Sequence, residues 1–261
     1  MKIVDICKRS SPALVIACSL LTANLVGAAE QDSAAKEASS RLNHVLMLDG
    51  KSGGVRVSDS PSLHMITNGI TLEIWCKAES FYPENGAVNS LIRKNVAEGA
   101  ENFFLRFRTI QGQPWIEMSP GKQIGVLRAP YDFATNRWYH LAGVYDGKDA
   151  AVFVNGRRVK SETLNGPMVI DDSDLFIGKG DPEWSSGEFF HGAVDEVRIW
   201  NIARSPEQIQ QDIQRTLTGK EAGLIALWNF DDDSAKDQSG HKNDGHLMGE
   251  AHIVERGHAP E

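Results

Sequence analysis

From Val45 onward the chain is built of short runs in which apolar and polar residues alternate, and this period of two most restricts its fold. Ile70-Thr71-Leu72-Glu73-Ile74-Trp75-Cys76-Lys77 sets Ile70, Leu72, Ile74 and Cys76 against Thr71, Glu73, Trp75 and Lys77. That is the pattern of a half-buried strand. Asn102 to Arg108 repeats it, with Phe103, Leu105 and Phe107 on one face and Phe104, Arg106 and Arg108 on the other. Trp138 to Tyr145 is mostly apolar on both faces, which predicts a central strand. Asp146-Gly147 and Asn155-Gly156 read as hairpin turns, because glycine tolerates positive φ. They delimit strands at Ala150 to Val154 and Arg157 to Thr163. Asp174 to Gly178, Phe190 to Trp200 and Ala222 to Phe230 add three more, and Asn243 to Val254 a closing hairpin-like pair.

One segment breaks the alternation. Ser205-Pro206-Glu207-Gln208 places an N-cap serine before a proline in the first helical turn. Ile209, Ile213 and Leu217 then recur every fourth residue, which predicts a helix ending near Gly219. Many strands, frequent turns and one surface helix make an all-β chain, an antiparallel two-sheet β-sandwich.

The N-terminus reads as an address. Lys2, Lys8 and Arg9 precede an apolar run from Pro12 to Ala29 that closes on Val26-Gly27-Ala28-Ala29. This is the layout of a secretory signal over residues 1–29. A membrane anchor is one alternative, opposed by Ser19, Thr22 and Asn24 within the run. Lipidation at Cys18, after Val15-Ile16-Ala17, is another. Residues 30–43 read as a flexible spacer, 42–255 as one domain and 256–261 as a tail. An exported protein is expected, periplasmic, cell-surface or secreted, with no membrane span in the mature chain. Lysine and arginine number 27 against 35 acids, a formal net charge of −8, which argues against a general nucleic-acid binder. Of three cysteines only Cys76 lies outside the signal; it is expected to be a buried apolar filler, and no internal disulfide can form.

Four stretches, taken in order, resemble the laminin G-like, concanavalin A-like lectin and glucanase jelly-roll superfamily. They are Leu46-Met47-Leu48-Asp49-Gly50 with Val55-Arg56-Val57; Ile70-Thr71-Leu72-Glu73-Ile74-Trp75; Trp138 to Gly147 with Val152-Phe153-Val154-Asn155-Gly156; and Gly192-Ala193-Val194-Asp195-Glu196-Val197-Arg198-Ile199-Trp200-Asn201 leading into the helix. Gly223 to Asp231, Asp237-Gln238-Ser239-Gly240 and Asn243-Asp244-Gly245 look like the closing strand and turn. The resemblance implies a jelly roll of two curved sheets and secreted or cell-surface use. The fold hosts lectins, hydrolases and laminin modules alike, so it names no single activity.

Hydrolases of this fold carry Glu-x-Asp-x-Glu on one strand, so that alternate carboxylates flank a glycosidic bond. Around Asp195 the outer positions are Ala193, Val197 and Arg198, so neither outer glutamate is present. A non-catalytic module is expected, with a glycoside hydrolase of atypical site as an alternative. The resemblance also implies a calcium ion, with Asp49, Asp195 and Asp237 as candidate ligands; each could instead serve a local turn or a strand bulge. A glycan or an extracellular or cell-envelope protein is the expected partner, with a purely architectural role as the alternative. Aromatic rings and planar hydrogen-bonding groups recognise sugars. Trp75, Phe104, Arg106 and Trp200 lie out of phase with the core positions of their strands, and Trp115 and Trp184 follow proline-containing loop signals. These six are the candidate ligand-binding residues. Packing of the tryptophans and cross-strand pairing of the charges is the competing account.

Overall fold

The computed structural model describes residue 33 and residues 43–95, 101–121, 123–181 and 187–256. The expected signal peptide, most of the spacer and the tail from residue 257 lie outside the described residues. The chain runs β1 (His44–Asp49), β2 (Gly54–Val57), β3 (Ile70–Ser80), β4 (Val88–Asn95), β5 (Glu101–Ile110), β6 (Gln113–Gly121), β7 (Gly125–Pro130) and β8 (Trp138–Tyr145). It continues through β9 (Asp149–Val154), β10 (Arg157–Thr163), β11 (Leu175–Ile177), β12 (His191–Trp200), helix α1 (Pro206–Ile213), β13 (Leu224–Trp228), β14 (Gly245–Met248) and β15 (His252–Glu255).

Two antiparallel sheets form a sandwich. One is ordered β10-β9-β8-β3-β12-β1-β15, with β13 also on β12; the other is ordered β14-β2-β11-β4-β5-β6-β7. The inward positions were those of the period-two pattern. Leu72, Ile74 and Cys76 of β3 and Leu141 and Tyr145 of β8 meet Phe103, Leu105 and Phe107 of β5 and Ile116 and Met118 of β6 in one core. Burial drives the Cys76 thiol well above its ordinary pKa, in keeping with an apolar role.

Along one edge of β12, β1 and β13 take turns as partner. β1 pairs with residues 191–194 and β13 with 197–200. Between them Glu196 takes φ +49° and the register to β3 shifts, a bulge that lets one strand serve two neighbours.

Three expectations need correction. The closing segment is not a hairpin: β14 pairs with β2 in one sheet, whereas β15 pairs with β1 in the other. The helix stops at Ile213 rather than near Gly219. Leu217 is buried all the same, packed from a loop against Trp200, Leu224 and Leu227. Trp115 lies in β6 rather than in a loop.

Candidate functional site

The three candidate calcium ligands do not converge. Asp49 ends β1 and spends its Oδ1 on the N–H groups of Lys51, Ser52 and Gly53, at 3.0, 2.9 and 2.7 Å, while the Ser52 hydroxyl donates to Oδ2. Burial opposes its ionisation, but these donors hold the carboxyl far below the ordinary carboxylate range. Asp237 accepts the N–H groups of Leu227, Ser239 and Asn243. Asp195 caps the β12 bulge, its Oδ1 taking the N–H of Glu196 at 2.6 Å. Burial, and then the Glu196 charge, push its carboxyl well above the ordinary range. A hard cation needs six to eight ionised or carbonyl oxygens. Among the described residues, no three His, Cys, Asp or Glu side chains gather to offer them. Each of the three carboxylates is engaged by backbone N–H groups of its own turn or bulge.

The outer face of the eight-stranded sheet is closed by α1. Ile209 and Ile213 cover Val45, Trp75, Ala142, Val144, Phe153 and Ala193. Beneath them runs a buried polar chain. His140 Nε2 lies 3.1 Å from Glu73 Oε2, and Arg198 donates to Glu196, at 2.8 Å, and to the Asp212 carbonyl, at 3.1 Å. Asp212 in turn pairs with Arg204 and Arg215. Trp75 and Trp200, expected on a ligand face, are therefore 2% and 0% exposed. An apolar helix face covers the first, and Leu217, Leu224, Leu227 and the Arg204 guanidinium surround the second. A groove of about 580 Å³ runs between the β9–β10 hairpin and the start of α1, with Asp149, Arg158 and Glu162 among its lining.

The outer face of the seven-stranded sheet keeps open ground. Cross-strand register sets Phe104 opposite Ser119, Arg106 opposite Glu117, and Arg108 opposite Trp115. Across the next strand pair Glu117 faces Arg128 and Trp115 faces Pro130. The Glu117 side chain is wholly buried, yet three guanidiniums reach it. Arg106 Nε lies 2.8 Å from Oε2, Arg108 Nε 3.1 Å from Oε1, and Arg128 Nε 2.5 Å from Oε1. Burial works against its charge, and Arg106, then Arg108 and Arg128, overcome that and hold the carboxyl below its ordinary range. The Arg106 guanidinium carbon also lies over Phe104, 3.8 Å from the ring centre, and both candidate residues are buried, so neither offers its own face to a ligand. The Arg108 and Arg128 side chains are 29% and 46% exposed, and Trp115 beside them is half-buried. Arg108 Nη1 is anchored on the Gly86 carbonyl at 2.9 Å. Of the six candidates, Trp115 alone stands at this ledge with an open side, and Trp184 lies outside the described residues. Glu117 and Arg128 were missed because Pro114 and Pro120 disguise β6; the alternation of Trp115 and Glu117 against Ile116 and Met118 was the available signal.

Residues 49–210 match the sequence profile described as the concanavalin A-like lectin/glucanases superfamily, Laminin_G_3. Human pappalysin-1 is 21% identical over 194 residues, 69% of this chain but only 12% of that protein. Among solved structures, a putative carbohydrate-binding protein from Bacteroides ovatus superposes with a TM-score of 0.61 at 20% identity, over 82% of this chain and 60% of its own. Domain 4 of an extracellular GH43 arabinanase from Geobacillus stearothermophilus, solved with arabinotriose, gives 0.50 at 20% identity, over 66% and 76%. A SAP-like pentraxin from Limulus polyphemus gives 0.51 at 14% identity, over 65% and 81%. These similarities extend to the fold, and the profile match covers well over half of the sequence. The chain belongs to the concanavalin A-like lectin/glucanases superfamily.

Proposed function

We propose that the protein is an exported, non-catalytic recognition module that holds a saccharide on the outer face of its seven-stranded sheet. The observation that carries this reading is the ledge of Trp115, Arg108 and Arg128. An indole supplies an apolar platform for a sugar ring, and fixed guanidiniums beside it supply planar donors for hydroxyl and acidic oxygens. Glu117 locks those donors in place, so little side-chain entropy is lost on binding. Carbohydrate-binding neighbours of the same fold support the reading, as does the absence of the hydrolase carboxylate pattern around Asp195.

The test is titration calorimetry against a panel of oligosaccharides, with Trp115→Ala beside the parent protein. Binding by the parent and an about tenfold weaker affinity in the variant are expected, the scale of losing a central aromatic contact. An inert panel, together with capture of cell-envelope proteins on the same face, would sink it.

A further inference from the structure

We propose that the ledge selects saccharides bearing a negative charge, a uronate carboxylate or a sulfate ester. The inference rests on the saccharide reading above and specifies its substrate class. It begins from a charge imbalance. Arg106, Arg108 and Arg128 all direct Nε at the one carboxylate of Glu117. With Arg106 set aside as the buried member, Arg108 and Arg128 still share a single negative charge at the exposed end of the cluster. One positive charge there has no counterpart among the residues named, although the protein as a whole carries −8.

The donors are also directional. The Arg128 contact with Glu117 is made through Nε, which leaves its two terminal nitrogens for another acceptor. Arg108 spends Nε on Glu117 and Nη1 on Gly86 O, which leaves Nη2. Guanidinium forks match carboxylate and sulfate oxygens two at a time, and the match strengthens where neighbouring surface lowers the local dielectric. Trp115 stands directly opposite Arg108 in the register. A pyranose stacked there would carry its acidic substituent within reach of both side chains. Lys160, whose Nζ donates to the Arg128 carbonyl at 3.0 Å, is paired with Glu162 and leaves the net charge of the rim unchanged. Elsewhere on this outer face Arg56 pairs with Asp174 and Arg93 with Glu188.

The test compares neutral, uronate-containing and sulfated oligosaccharides of matched length in titrations at low and high salt. Variants Trp115→Ala, Arg128→Gln and Arg56→Gln are run beside the parent, and thermal unfolding checks that each is folded. Charged oligosaccharides are expected to bind about tenfold more tightly than neutral ones, with an affinity that falls as salt rises. Arg128→Gln should remove most of that preference and flatten the salt dependence. Arg56→Gln, which removes a cation with its own carboxylate, should leave binding as it was. Uronates should lose affinity near pH 3, where their carboxylates protonate, and sulfates should not, so the two sources of charge separate. Neutral sugars binding through Trp115 as tightly as charged ones would overturn charge selection and leave the saccharide reading standing. Equal losses in Arg128→Gln and Arg56→Gln would overturn it too, since binding would then follow overall charge. A panel inert in every class would overturn the saccharide reading itself.

Discussion

A buried histidine is a titrating group placed where water cannot help it. His140 is wholly buried, with Nε2 on Glu73 and its ring edge-on to Trp75 at 5.4 Å between centroids. Burial lowers its pKa from the ordinary 6.5; Glu73 and Asp212 oppose this, and Arg198 adds to it. The folded protein therefore takes up the proton later than the unfolded chain as pH falls. The sign follows: the contribution is fully present above pH 6.5 and is lost as pH drops from there toward the folded value. Glu73, held below its ordinary 4.5 despite burial, titrates in a lower window. Urea unfolding at pH 7 and pH 5 should show the parent losing up to about 2 kcal/mol, and His140→Gln losing clearly less over the same interval. Equal losses would mean that other groups carry the slope. At this scale the sequence was partly legible. Alternation placed Trp75 and Trp200 off the core face, which they are, but it could not show that a helix and a loop return to cover them. Asp49 and Asp237 beside glycines had two readings, and the sequence alone could not show how many backbone N–H groups surround each carboxylate.

Helix α1 is the element that turns an outer sheet face into a second, buried layer. Its start was readable because capping is local chemistry. The Ser205 Oγ accepts the Gln208 N–H at 3.3 Å, and the Gln208 Oε1 accepts the Ser205 N–H at 2.8 Å. Its end was not readable, since the four-residue stripe continued to Leu217 while the backbone left the helix after Ile213. Eight residues are too few for a helix to persist by its own propensity, so packing must hold this one. Two substitutions separate the contributions. Ser205→Ala removes one cap and should cost about 1 kcal/mol. Ile209→Ala empties the contact on Trp75 and Phe153 and should cost about 2–5 kcal/mol. Chemical denaturation of both variants checks the order, and a cap worth more than the isoleucine would refute it. The strands divide along the same line. β8 and β10 were found end to end because the Asp146-Gly147 and Asn155-Gly156 turns mark where one ends and the other begins, although β10 pairs with β9 across a register shift; β4, β6 and β7, which also pair across irregular registers, carry no such turn signal at both ends.

At the scale of the molecule, a sandwich is set by how closely its sheets approach, and that distance is a property of pairs from opposite layers. Gly143 sits in the middle of β8, opposite Leu72 of β3 and Val152 of β9. A Cβ built there would meet Met118 Cγ of β6 at 2.5 Å and Cβ at 3.1 Å. The methionine fills the space that the glycine leaves, across the interface between the sheets, and nothing local to Leu141-Ala142-Gly143-Val144 signals this, since its partner is 25 residues earlier in the chain. Gly143→Ala should therefore overpack the core and cost about 1–3 kcal/mol. Met118→Ala should cost about 2–5 kcal/mol by opening a cavity. The double variant has room for the new methyl, so its loss should be smaller than the sum of the two single losses by more than about 0.5 kcal/mol, the scale of additivity for independent sites. Met118 also lies next in sequence to Glu117 on the strand that carries the ledge, so the same cycle tests the binding face. If β6 is held at its height by this contact, Gly143→Ala should weaken saccharide binding although it touches no ligand, and restoring the fit with Met118→Ala should recover it. Additive stabilities would mean that Met118 swings aside freely, and unchanged binding in Gly143→Ala would mean that the ledge is positioned within its own sheet alone.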